Sequence, residues 1–419
     1  MKHLQLTKVL TLTCCIVYLF VLSSCSDFTS HSVSGSKIVL TKSEQQMTQS
    51  VNTFAFDLYK THYMSEYYQK QRKDNNIFIS PLSASFAIAI GVSGSTGSTE
   101  EQLKTALGFK ANTTKDMEQY YQKLHETLPL VDPNTQYVSA NSLWINSDFS
   151  VKSAFISATK EYYGATSEVV DFSKESTVTK INKWCANKTA GKMPSIIQSI
   201  DSQERMILLN ALYFKGNWTT PFGVGGTTSM NFKPMDGDSV KVDMMHMHSR
   251  TIHFQYCENE ILQILELPFG SQSFVMDILL PKADVSFSGV VNSLSETNWN
   301  TWMASLDRNK VDIYIPKFTI KQEIDLKTTL RQMGVTDVFN VQKADFSNIS
   351  DADLYIGILS QNTYISVDER GCEAAAATSA RLVGAGLREE DPIFMANRPF
   401  IFVIREVSTG AILFIGQKG

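Results

Sequence analysis

The chain has 419 residues, 43% of them hydrophobic and 19% charged, with a formal net charge of −4. Apolar side chains suffice for a large core, and a mildly acidic balance without Lys/Arg blocks argues against nucleic acid as a partner. The six cysteines have no regular spacing and no Cys-x-x-Cys pair, so neither a disulfide framework nor a zinc site is expected, and stability must come from packing.

Lys2 and Lys8 precede Val9 to Leu22, a mostly apolar run without charge. Its length fits the core of a signal peptide and is short for a membrane span. Leu22-Ser-Ser-Cys25 resembles a bacterial lipobox. Residues 1–24 then read as a lipoprotein-type signal, Cys25 as the lipidated first residue, 25–44 as a flexible tether and 45–419 as one domain. Val51, Phe54, Ala55, Leu58 and Tyr59 have helical spacing, which predicts an amphipathic helix over about 46–70. Ile77-Phe-Ile79 reads as a short buried strand, and Pro81 opens an apolar helix through Val92. The glycine-rich run from Gly91 to Gly97 lacks a following Gly-Lys-Ser/Thr, so it is a helix-to-helix turn and not a phosphate loop. Thr99-Glu-Glu-Gln102 reads as a capping box for the next helix, closing at Gly108.

Met206 to Phe214 is almost continuously apolar, as a central strand covered on both faces would be, with Asn210 in its middle. An unsatisfied amide there costs roughly 1–3 kcal/mol, so Asn210 needs partners. His246, His248 and His253 cluster, but spacing fixes no third acidic ligand, and a surface strand without metal is expected. Val311, Ile313 and Ile315 alternate into Pro316; Leu326, Leu330 and Met333 give a helix ended by Gly334. Phe400–Ile404 and Ala411–Ile415 form a hairpin of buried strands. Helices come first and strands dominate the end, which points to an α+β domain with large sheets.

The strand Tyr364 to Val367 leads into Glu369-Arg-Gly-Cys-Glu-Ala-Ala-Ala-Ala-Thr378. With a period of two, Cys372, Ala374, Ala376, Thr378, Ala380 and Leu382 share one face, which is small or apolar. Glu373, Ala375, Ala377, Ser379, Arg381 and Val383 share the other, which takes every charge. Alanine is nevertheless a poor strand former. The segment is patterned for a sheet yet weakly inclined to join one, so two states are expected.

Asn76-Ile-Phe-Ile-Ser-Pro-Leu-Ser83, Leu209-Asn-Ala-Leu-Tyr-Phe-Lys-Gly-Asn-Trp218, Ile315-Pro-Lys-Phe318, Val367-Asp-Glu-Arg-Gly-Cys-Glu-Ala-Ala-Ala-Ala-Thr378 and Asn397-Arg-Pro-Phe400 resemble, in order, the signatures of the serpin family. The resemblance runs from about residue 45 to the end. It implies an α+β fold of three sheets and about nine helices, metastable, with an exposed reactive loop near the carboxyl end. It implies irreversible suicide-substrate inhibition of serine proteases: the protease forms an acyl-enzyme with the loop, and the freed upstream segment inserts as a new strand in the main sheet. From Gly371 to Ala385 an extended chain reaches roughly 45–50 Å, comparable to a domain's height.

Counting forward from Glu369 with the family's spacing puts the attacked bond at Ala385-Gly386, which suits an elastase-like protease. Counting back from Pro399 gives Arg388, which suits trypsin-like enzymes. Glu369, Gly371, Cys372, Glu373, Ala374, Ala375, Ala376, Ala377 and Thr378 match the hinge. Cys372 stands where the family commonly has threonine, and is read as a passive small residue. Ser80, Ser83, Asn210 and Gln361 match a polar network under the opening sheet; Gln361 replaces a frequent histidine, so no pH switch is expected of it. Trp218, Lys317 and Glu369 match a cluster at the top of the sheet. The implied partner is a target serine protease held covalently by a monomer, with a lipid anchor at Cys25, no cofactor and no metal. Localisation is expected at the cell envelope, or in the secreted fraction if the lipobox is incidental. A non-inhibitory carrier or chaperone-like serpin, and inhibition of papain-like cysteine proteases, are the alternatives. No Gly-x-Ser-x-Gly or His-Glu-x-x-His is present, so no hydrolytic enzyme is expected. Globomycin should accumulate an uncleaved precursor that depends on Cys25; without one, the lipobox reading fails.

Overall fold

The computed structural model describes residues 35–69, 75–248, 252–357, 359–372 and 391–419. Cys25, hinge residues Glu373, Ala374, Ala375, Ala376, Ala377 and Thr378, and the candidate reactive residues Ala385, Gly386 and Arg388 lie outside the described residues. The domain packs from Gly35 on. Ser36 N donates to the Val131 carbonyl at 2.8 Å, Ile38 N donates to Ser408 Oγ at 2.9 Å, and Ile38 and Leu40 are buried. The stretch 35–44, expected as tether, therefore belongs to the domain, because its two alternate apolar side chains find a place in the core.

Nine helices, numbered in chain order, occur among the described residues: α1 (Lys42–Gln69), α2 (Pro81–Gly94), α3 (Gly97–Ala106), α4 (Thr114–Thr127), α5 (Ser153–Tyr163), α6 (Glu175–Lys188), α7 (Phe287–Ser293), α8 (Glu296–Ala304) and α9 (Leu326–Gln332). A reciprocal cap starts α1: Thr41 N donates to Glu44 Oε2 at 2.6 Å, and Glu44 N donates to Thr41 Oγ1 at 3.3 Å. The capping box expected at Thr99 is not formed. The α3 helix begins two residues earlier, at Gly97, after an N-cap Thr96 that makes no side-chain cap bond. Thr99 and Gln102 are spent on tertiary contacts instead. Thr99 Oγ1 accepts from Asp345 N, and Gln102 Oε1 accepts from the amides of Thr336 and Asp337.

Three sheets carry the rest. A seven-stranded sheet runs in the order β1 (Ile77–Ile79), β17 (Ile412–Lys418), β16 (Phe400–Glu406), β9 (Phe274–Pro281), β8 (Leu262–Phe269), β7 (Phe254–Glu258), β10 (Asp307–Asn309). A four-stranded sheet runs β15 (Ile393–Met395), β11 (Asp312–Pro316), β6 (Val240–His248), β5 (Thr228–Phe232). The third has six strands: β12 (Phe318–Asp325), β13 (Ser360–Asp368), β14 (Gly371–Cys372), β4 (Met206–Asn217), β2 (Thr135–Asn146), β3 (Thr166–Val170).

The near-continuous apolar run of β4 follows from burial on both faces. Leu212 and Phe214 enter the main core, while Leu209 and Ala211 join Ile181 and Cys185 of α6 in a second cluster. Helix α6 thus lies across the outer face of the six-stranded sheet, and α2 packs beneath it. The three described cysteines, Cys185, Cys257 and Cys372, are unbridged.

In the seven-stranded sheet one buried guanidinium serves two acids. Arg405 Nε donates to Asp277 Oδ2 at 2.7 Å, and a terminal nitrogen of Arg405 donates to Glu266. Burial and the neighbouring Asp277 push the Glu266 carboxyl up to about 7, against the pull of Arg405. A folded-state pKa above the unfolded value means that the folded protein holds this proton more tightly. The resulting stability is fully present below the unfolded pKa and is lost as pH rises through about 7. Urea unfolding should therefore show stability falling between about pH 5 and 8, by on the order of 1–3 kcal/mol, and Glu266→Gln should flatten that slope.

Candidate functional site

Two residues of strand β14, Gly371 and Cys372, lie among the described residues, and they define the site. Gly371 and Cys372 pair antiparallel on one side with Asp368 and Val367 of β13, and on the other with Asn217 and Gly216 of β4. Below these two residues no ladder joins β4 to β13 among the described residues. The six-stranded sheet is therefore opened at its top by the base of a strand whose continuation, from Glu373, lies outside the described residues. Gly371 takes φ +149, and a Cβ there would lie 2.1 Å from the Gly216 carbonyl oxygen, so only glycine passes this close to β4. The Cys372 side chain enters the main core and its thiol is closed to solvent.

Lower in the same seam is an apolar cavity of about 300 Å³. Met206 and Leu208 of β4 line one side, Gly357 and Leu359 just before β13 line the other, and Ile88 of α2 and Leu330 of α9 also line it.

Polar side chains bridge the seam from below. Gln361 of β13 exchanges two bonds with the Ser80 backbone: its Oε1 accepts from Ser80 N at 2.8 Å, and its Nε2 donates to Ser80 O at 2.9 Å. Ser80 Oγ donates to the Leu413 carbonyl at 2.8 Å and accepts from Ser83 N, capping α2. Ser83 Oγ donates to Asn210 Oδ1 of β4. Asn210 Nδ2 donates to Asn141 Oδ1 of β2 at 2.7 Å, and Asn141 Nδ2 donates to the Tyr163 carbonyl at 2.7 Å. The strands flanking the seam are thus tied to each other through the start of α2. All four expected network residues meet here. Asn141 completes the line and was not foreseen; flanked by Ser139 and Ser142, it carries no signal of the kind Asn210 gives within an apolar run.

At the top, Glu369 is buried. Its carboxylate accepts from Thr227 Oγ1 at 2.7 Å and pairs with Lys317 Nζ at 3.0 Å, while its carbonyl accepts from Phe222 N at 2.7 Å. Burial pushes this carboxyl up, but the Thr227 hydroxyl, the backbone amide and Lys317 together hold it below the usual range. Trp218 Nε1 donates to the Asp368 carbonyl at 3.0 Å, Trp218 N donates to the Arg370 carbonyl at 2.6 Å, and the indole stacks on Phe269. The turn feeding β14 is therefore clamped at each of Asp368, Glu369 and Arg370.

Comparison with known proteins gives a consistent answer. Residues 49–418 match the family model described as serpin, serine protease inhibitor. An uncharacterized serpin-like protein of Thermococcus kodakarensis is 33% identical over 89% of this chain and 85% of its own length. Leukocyte elastase inhibitor of Xenopus laevis is 32% identical over 85% of this chain and 97% of its own. The crystal structure of tengpin, a thermophilic serpin in the native state, superposes with a TM-score of 0.81 at 30% identity, covering 91% of this chain and 95% of that one.

Glu369→Lys sets a cation against Lys317 and removes the acceptor from Thr227. It should cost about 2 kcal/mol in thermal or urea unfolding, since one partner is largely buried and the other partly exposed. It should also raise the rate of spontaneous conversion or polymerisation on native gels several-fold. Unchanged conversion would count against a restraining role for the pair.

Proposed function

This chain belongs to the serpin family, and we propose that it is an irreversible inhibitor of serine proteases with a narrow, elastase-like specificity pocket. The target's serine attacks the Ala385 carbonyl, the amine of Gly386 leaves, and the acyl-enzyme is carried away as residues from Glu373 onward fill the seam between β4 and β13. Dragging the enzyme by its acyl bond pulls its catalytic groups and oxyanion donors out of line. Losing one such donor slows turnover by about 10²–10³, which stalls deacylation.

One observation supports this reading above the others: the register of β14. Each step forward along β14 is one step back along both neighbours, with Gly371 opposite Asn217 and Asp368, and Cys372 opposite Gly216 and Val367. Continued down the seam, the same register sets Ala374 opposite Phe214 and Ala376 opposite Leu212. Thr378, whose hydroxyl is the polar group of the inward face, falls between Asn210 and Gln361. Ala380 and Leu382 fall opposite Leu208 and Met206, which line the cavity. On the outer face Glu373 falls opposite Lys215. Every inward residue thus meets an environment of its own character, and the small ones pass where the core is already full.

Insertion adds roughly ten ladder bonds at about 0.5–1.5 kcal/mol net each, so the filled sheet is the lower state and the open one is held kinetically. The Ala374–Ala377 run favours inhibition over a carrier role, because bulky or charged residues there would obstruct insertion. We also propose display at the cell envelope through lipidated Cys25.

Incubation with elastase, trypsin, subtilisin and papain, followed by boiling in denaturant, tests the proposal. Elastase should give a covalent band with the loop cut after Ala385, and the cleaved protein should melt roughly 10 °C or more above the intact one. A cut after Arg388 alone moves the target class to trypsin-like enzymes. Cleavage by every protease without a covalent band refutes inhibition. Thr378→Arg forces a charge between Asn210 and Gln361, and should convert most of the covalent band into cleaved product.

A further inference from the structure

We propose that His246, His248 and Asp312 form a site for a borderline divalent transition metal, of the class represented by Zn²⁺, on the outer face of the four-stranded sheet. The inference does not depend on the inhibitory reading. Along β6, Met245 and Met247 are buried in the core, so the period-two alternation sends His246 and His248 to the opposite face. The antiparallel register with β11 sets His248 opposite Asp312 and His246 opposite Tyr314. Three potential ligand atoms, one from each of His246, His248 and Asp312, lie within 4.8 Å of one another. His253, the third histidine of the sequence cluster, is not among them.

Two features mark this as more than a surface histidine pair. The His246 ring lies flat on Tyr314, with centroids 4.2 Å apart and planes 5° from parallel, which fixes its direction. Its Nε2 is buried and has no hydrogen-bond partner among the described residues. A buried imidazole nitrogen without a partner is unusual in a finished structure and asks for an occupant. Burial, and to a smaller degree His248, lowers the tendency of His246 to protonate against the pull of Asp312, which leaves its lone pair available.

His248 and Asp312 are hydrogen-bonded to each other, and the His248 side chain is 44% exposed, so this half of the site can re-aim by side-chain rotation. The closing movement is small. Ligands of a tetrahedral site with bonds of about 2.0–2.1 Å stand about 3.3 Å apart. Two imidazoles and one carboxylate, with a fourth position open to water, suit Zn²⁺ and its neighbours; Ca²⁺ and Mg²⁺ take oxygen ligands.

The position gives the metal a consequence. Asp312 N donates to the Pro392 carbonyl at 2.9 Å, and β11 pairs in parallel with β15, the strand that follows the reactive segment. A metal bridging β6 and β11 therefore stiffens the support of that segment's downstream foot.

The test is titration of the purified full chain with Zn²⁺ by calorimetry in chelator-free buffer at pH 7.5, with Co²⁺ absorption as a second readout. One equivalent should bind, Co²⁺ should show tetrahedral d–d bands, and the thermal midpoint should rise. His246→Ala or His248→Ala should weaken binding by at least about 100-fold, Asp312→Asn by at least about 10-fold, and His253→Ala should change nothing. Should His246→Ala fail to fold, His248→Gln at the exposed position carries the test. No stoichiometric binding, or binding that survives loss of both His246 and His248, overturns the proposal.

Discussion

Among the described residues the backbone of the six-stranded sheet is not paired between β4 and β13 below Cys372, and the rest of the site is arranged around that seam. Each flanking strand has an edge turned toward the other, and edges of this kind are the places where strands add. Ordinary domains cover or pair such edges. Here the top is wedged by two residues, Gly371 and Cys372, the middle is crossed underneath by a line of amides and hydroxyls, and the bottom encloses an apolar cavity. Under the proposed mechanism the sheet is stable enough to fold yet keeps a better-paired arrangement in reserve.

The polar line under the seam explains how the two flanks stay in position without pairing. Gln361 and Asn210 each grip the first turn of α2, through Ser80 and Ser83 respectively. Because both amides reach the same helix start, neither strand can shift far without breaking buried bonds, each worth about 1 kcal/mol net and more when a partner is left bare. Gln361 does this without an ionisable group, so the restraint has no titration of its own. The charged restraint sits at the top instead. Glu369, held below the usual carboxylate range, keeps its grip on Thr227 and Lys317 until acid protonates it.

Much of this was legible in the chain, and most of the failures share one cause. The β13 strand, the Ser80-Pro81 helix start, the buried β4 run and the closing hairpin are all local patterns, and local pattern survives without a fold. What was missed depends on register between distant strands. Asn141 joins the network only because β2 pairs with β4 residue for residue at Asn210. Asp312 reaches the histidines only through the pairing of β11 with β6. The buried acids around Arg405 meet across three neighbouring strands. The capping error is the reverse case. Thr99 and Gln102 have the right spacing for a box, but loop amides at Asp345, Thr336 and Asp337 compete successfully for their oxygens, while Thr41 and Glu44 form the box even though Lys123 also donates to the Glu44 carboxylate.

Alanine in the reactive segment then has a double effect under the proposed mechanism. A β-branched tract would pair more eagerly and would draw the intact loop into the seam before any protease arrived. A bulky or charged tract would never pass beneath α6. Alanine is small enough to enter and a poor enough strand former to wait. The wait also requires an anchored far end. Arg398 donates to the Pro281 carbonyl from Nε at 2.9 Å and from a terminal nitrogen at 2.6 Å, and β15 is paired along β11. With the downstream foot fixed in one sheet and the upstream foot wedged into another, the uncut segment cannot extend down the seam without tearing β15 loose. Under the proposed mechanism, cutting one peptide bond removes that constraint, and only the restraints within the sheet itself are left for the upstream segment to overcome.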